Sequence, residues 1–212
     1  MKRISNWDNI TPVNANGGSG RLPAGGYVGT IVGAKEVVYK QGTADEYSRL
    51  EIALDVSEGE YSGFFKDKFD ADQSENKKWK GVYRAYVPKD DGSEKDNKTK
   101  SIFKGVITSI EESNKGYKWD WNESGLKDKE VGFLVRDKQF VNDKGEVITF
   151  SEIFMLLSSR AIREHDYQDP KPKLLEDSQQ INTAYTPADF NMTGLTPPPE
   201  NNGGNGTNDY PF

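Results

Sequence analysis

Along residues 48–56, SRLEIALDV, apolar Leu50, Ile52, Leu54 and Val56 alternate with side chains that are polar except for Ala53. A period of two over this length predicts a half-buried β-strand. The preceding run, YVGTIVGAKEVVYK (27–40), is long and β-branched, follows the turn RLPAGG, and predicts a strand that Gly33 can bend. SEGEYSGFF (57–65) reads as a turn and another strand-like piece, and KKWKGVYRAYVP (77–88) as extended chain. In residues 101–114 the period changes. Ile102, Phe103, Val106, Ile107 and Ile110 make one apolar stripe at helical spacing, ended by Asn114 and Gly116, while DDGSEKDNKTK (90–100) before it reads as a polar loop. Residues 129–158 hold two β-rich runs around NDKGE, a loop of hairpin length with Gly145 suited to a positive φ. A short closing helix is expected in SSRAIREHDYQ (158–168).

Several long strands with one helix before the last hairpin predict a mainly β protein. The architecture that fits is an OB-fold-like five-stranded barrel with its helix between strands 3 and 4. An SH3-like barrel or an α+β sheet satisfies the same strand count.

Composition divides this body from its flanks. The 212-residue chain is only 33% hydrophobic, with a mean hydropathy of −0.83, yet 11% of it is aromatic. Part of it is therefore expected to lie outside any core. All 28 Lys and Arg fall between Lys2 and Lys173, together with 29 of the 34 acids. Residues 174–212 carry five acids and no base, and TGLTPPPENNGGNGTND within them is low in complexity. The expected organisation is a flexible N-terminal arm (1–20), a folded domain (21–173) and a disordered acidic tail (174–212).

The residue inventory excludes much chemistry. With no Cys, there is no disulfide, thiolate site or cysteine nucleophile, and His165 stands without a companion motif. Asp67, Asp70 and Asp72 fail the calcium-loop pattern, which needs a Gly and a twelfth-position Glu. No catalytic set, metal site or cofactor motif is read, so the protein is expected not to be an enzyme. The chain start lacks an apolar signal region and no apolar run approaches membrane-spanning length. A soluble protein of the cytoplasm is expected.

Three constellations remain. KKWKGVYRAY interleaves Lys77, Lys78, Lys80 and Arg84 with Trp79, Tyr83 and Tyr86 and contains no acid. Single-stranded nucleic acid presents phosphates and unstacked base faces together, which bases interleaved with rings can meet. The competing reading places Trp79 and Tyr83 in the core. RDKQF sets Arg136, Lys138 and Phe140 on one strand face, across the groove of such a barrel. Tyr117, Trp119 and Trp121 form a third cluster, read as a loop folded over the barrel.

The last residues, Asp209, Tyr210, Pro211 and Phe212, resemble the acidic-aromatic tip of bacterial-type single-stranded DNA-binding proteins, with one acid where several are usual and Tyr210 in place of an aliphatic residue. That resemblance implies an OB-fold, a linker, and a tip that docks on replication or recombination proteins such as a helicase, polymerase or recombinase. WDNI, RLPAGGYV, LEIALDVSEGEYSGFF, FKGVITSIEESNKGYKW and VGFLVRD are similar to a family encoded in replication modules of phages and prophages of Gram-positive bacteria. The two resemblances imply a homo-oligomer that binds and protects single-stranded DNA in the cytoplasm of a host cell. A replication adaptor that binds no DNA is the alternative.

Overall fold

The computed structural model describes residues 20–175. Five strands, β1 (Gly25–Tyr39), β2 (Tyr47–Val56), β3 (Val82–Tyr86), β4 (Glu130–Val141) and β5 (Val147–Leu157), form one sheet in the order β3-β2-β1-β4-β5. Every neighbouring pair is antiparallel. Three α-helices accompany it: α1 (Phe64–Ala71), α2 (Glu94–Ser113), between β3 and β4, and α3 (Ser159–Arg163).

The sheet turns on β1. Its first residues, Gly25 to Thr30, pair with β4, while Gly29 to Tyr39 pair with β2. A register shift between Ile31 and Gly33 lies where one partner gives way to the other, as a bulge that bends a strand would. The edge strands β3 and β5 approach each other, yet no ladder joins them among the described residues, so the sheet stays open. Helix α2 packs against β3, β4 and β5, setting its Phe103, Val106, Ile107 and Ile110 stripe into a core with Ile52, Leu54, Phe133 and Val135.

The structure departs from the sequence reading at three places. Residues 64–71 form helix α1, not a strand. Gly63 enters it at φ 79, and the Asp55 carboxylate accepts the Phe65 N–H (2.9 Å), capping the helix from a neighbouring strand. Helix α2 begins at Glu94, inside the expected loop, because the Ser93 hydroxyl accepts the Asp96 N–H and acids occupy the first turn. The third departure is β2, which is buried on both faces from Leu50 to Leu54, Glu51 included, rather than half-buried.

Of residues 77–88, only Val82–Tyr86 is strand. The approach to it runs so close to β2 that a Cβ on Gly81 would lie 2.5 Å from the Leu54 carbonyl oxygen and from Phe65. Only glycine fits there without displacing backbone.

Candidate nucleic-acid interface

Strand register divides the sheet into two faces. Leu50, Ile52, Tyr83 and Ala85 turn to the core, so Arg49, Glu51, Arg84 and Tyr86 turn outward. Arg49 lies opposite Val37 on β1 and Tyr86 on β3, Glu51 lies opposite Lys35 and Arg84, and Tyr47 lies opposite Tyr39.

These outward side chains organise one another. The Arg49 guanidinium sits over three tyrosine rings, 5.0 Å from the centre of Tyr39, 5.2 Å from Tyr47 and 4.8 Å from Tyr86. It also donates to the Tyr86 hydroxyl at 3.0 Å. Tyr39 and Tyr47 stack in parallel at 5.1 Å. Beneath them the Glu51 carboxylate, only 3% exposed as a residue, accepts from the Tyr39 hydroxyl (2.7 Å) and from Arg84 Nε (2.9 Å). Burial, with the Glu51 bond behind it, pushes the Tyr39 phenol up to about 12. Arg84 remains about half exposed. The result is a half-open platform of flat rings with guanidinium groups held among them, able to stack on π-faces and meet phosphates.

The residues expected from the first constellation separate. Arg84 and Tyr86 belong to this platform. Trp79 and Tyr83 are core residues, 6% and 4% exposed, and Trp79 Nε1 donates to the Leu54 carbonyl, so neither ring is open to a base. Tight chain return at Gly81 seats Trp79 there. Lys77, Lys78 and Lys80 are exposed before β3, on the α1 side. Lys77 lies over the Phe69 ring, and Lys80 is close enough to reinforce burial in lowering the Lys68 pKa.

Arg136, Lys138 and Phe140 also turn outward, on the part of β4 that runs past the end of β1. There β4 and β5 form a projecting arm. Glu152 bridges Arg136 and Lys138 at 2.8 and 2.7 Å, Arg136 lies over Phe154, and Phe140 meets the Phe150 ring edge-on. Burial alone would push the Glu152 carboxyl up, but the bonds and charges of Lys138 and Arg136 outweigh it and hold the carboxyl below its usual range. Between platform and arm, the outer face is covered. Gly132 receives Ile162 of α3 and Gly26 receives Tyr167, at distances a Cβ would obstruct.

Elsewhere, Tyr117 and Trp119 are half-buried against the core, while Trp121 is 74% exposed and lies parallel to Phe103. Asp70 pairs with Lys66, and Asp72 accepts the Ser74 N–H. Among the described residues no cluster of His, Cys, Asp or Glu could hold a metal ion. No described helix is long and apolar enough to cross a membrane. Asp209, Tyr210, Pro211 and Phe212 lie outside the described residues.

Sequence reasoning missed Tyr39, Tyr47 and Arg49. Their signal was the polar phase of a strand read for its apolar one: Tyr47, Arg49 and Glu51 alternate with Ser48 and Leu50, and Tyr39 closes the other side of the same short hairpin. Compared with known proteins, the chain matches no family model, and no curated protein matches it.

Proposed function

We propose that this protein binds single-stranded DNA, without catalysis, through the outer face of β1, β2 and β3. The observation that carries the reading is the platform of Tyr39, Tyr47 and Tyr86 around Arg49, with Arg84 beside it. Strand order, a helix between the third and fourth strands, and the approach of β3 to β5 support reading the sheet as an OB-fold-type barrel left open at that seam. The β4–β5 arm, with Arg136, Lys138 and Phe140, is a second contact for the strand. In this reading Asp209, Tyr210, Pro211 and Phe212 recruit replication or recombination proteins, and the body works as a homo-oligomer in the host cytoplasm during phage DNA replication.

The test is fluorescence anisotropy of labelled oligo-dT at low and moderate salt, beside a duplex of equal length. Saturable binding to dT that weakens with salt, with the duplex far weaker, is expected. Tyr86→Ala is expected to cost about 1–3 kcal/mol of that affinity, the range for one stacked base. Absence of dT binding by folded protein at low salt would overturn the reading. It would favour the adaptor alternative, to which one observation already points: Phe140, Val141, Val147 and Ile148 at the tip of the arm are exposed, as a protein-binding patch would be.

A further inference from the structure

Beside the tyrosine platform lies a cleft of about 570 Å³, bounded by the loop joining β1 to β2 and by the segment from β3 into α2. Tyr47, Tyr86, Val87 and Thr99 line it together with both signs of charge. Its four acids are engaged within the protein. Asp45 faces Lys40 at 3.6 Å, and Glu46 accepts the Gly42 N–H. Asp91 accepts the Ser93 N–H, and Asp96 accepts the N–H groups of Lys89 and Asp90 while Lys100 lies 3.0 Å from its second oxygen. The ammonium groups of Lys89 and Lys95 have no ion-pair partner among the described residues, and both side chains are exposed. Lys40, Lys89 and Lys95 line the cleft against four acids, and Lys100 behind Asp96 is shared with Asp90 at 2.6 Å, so the charges nearly cancel with a small acidic excess. Its bulk field is therefore weak, and what it offers is directional: a wall of two aromatic rings and two unengaged cations.

Resting on the single-strand reading above, we infer that this cleft takes one nucleotide of the bound strand, its base against Tyr47 and Tyr86 and its flanking phosphates on Lys89 and Lys95. The cleft thereby marks where the strand leaves the platform toward the start of α2.

Two measurements on the full chain test it. The first compares the salt dependence of oligo-dT affinity for wild type, for Lys89→Ala/Lys95→Ala, and for Lys115→Ala/Lys127→Ala, which removes two exposed charges elsewhere. Loss of two phosphate contacts should lower the slope of log K against log salt by about 1.4 and the affinity at moderate salt on the order of tenfold. The control pair should leave the slope in place. The second needs no variant: limited acetylation of wild type, read by mass spectrometry, should show Lys89 and Lys95 protected by oligo-dT but not by thymidine monophosphate. Wild type that binds dT with both lysines unprotected and an unchanged slope in the double variant would overturn the cleft while leaving the single-strand reading intact. Protection by the mononucleotide alone would overturn the assignment to a strand. Absence of dT binding by wild type would overturn both.

Discussion

At the scale of single residues, the decisive quantity is the space a side chain has. Gly33 and Gly81 look alike in the sequence, each a glycine in a β-rich run. A Cβ on Gly33 would meet no atom within 4 Å, and the residue needs no positive φ, whereas one on Gly81 would face backbone and a ring at 2.5 Å. Gly33→Ala should therefore shift the urea midpoint little, and Gly81→Ala should lower it sharply or prevent folding. Trp79 makes the same point for a ring. Truncating it to Ala should cost about 3–5 kcal/mol by opening the core and freeing the Leu54 carbonyl, measured by urea unfolding. Under conditions where the variant stays folded, its oligo-dT affinity should match wild type, because the ring does not reach the outer face. Which tryptophan is core and which is surface, Trp79 or Trp121, could not be read from the two local sequences, since Trp79 sits among lysines and Trp121 among acids and polar residues, and neither has apolar neighbours on both sides.

At the scale of elements, local periodicity located β1, β2, the final hairpin and the apolar half of α2, although for β2 it gave the strand and not its burial on both faces. It failed where a helix is held by capping and long-range contacts. The first turns of α2 carry no apolar stripe; Ser93 and the acids after it start the helix. Ser93→Ala should cost about 1 kcal/mol, read from the shift in chemical unfolding. Because Ser93 also lines the cleft beside Asp96, the same change should disturb the loop there. Helix α1 was hidden for a different reason. Its open N–H groups are met by Asp55, on the strand before it, and its Phe65 and Phe69 only share a face once the chain has coiled.

At the scale of the whole molecule, two titration effects act in opposite pH ranges. Tyr27, Tyr39 and Tyr83 are each pushed up from 10.0 to about 12, in every case chiefly by burial. A phenol whose folded value exceeds its unfolded value contributes stability that is fully present below about 10 and lost as pH rises toward 12. Alkaline titration followed by tyrosinate absorbance should thus show a late group of tyrosines that ionise together with loss of the β-sheet circular dichroism signal. Glu152 acts in the other direction: its lowered value contributes stability above the usual carboxylate range that disappears as pH falls through the folded value. Acid should loosen the β4–β5 arm, and Glu152→Gln should reduce that part of the pH dependence, followed by hydrogen exchange of residues on the arm.

By itself the sequence determined the strand-rich class, the position of one helix before the last hairpin, the confinement of every Lys and Arg to residues 2–173, and the absence of cysteine. Each of these depends on residue type or on a period of two or 3.6, which neighbours along the chain are enough to express. Only the tertiary structure decided that Tyr39, Tyr47, Arg49 and Tyr86 meet, that Glu51 is buried beneath them, and that Trp79 and Tyr83 are withdrawn. The platform is assembled from three strands across a register set by the bulge between Ile31 and Gly33. A shift of one residue in the β1–β2 pairing would turn Tyr39 to the opposite face from Tyr47, Arg49 and Tyr86, and such a choice is made by packing across the sheet, not by any stretch of chain alone.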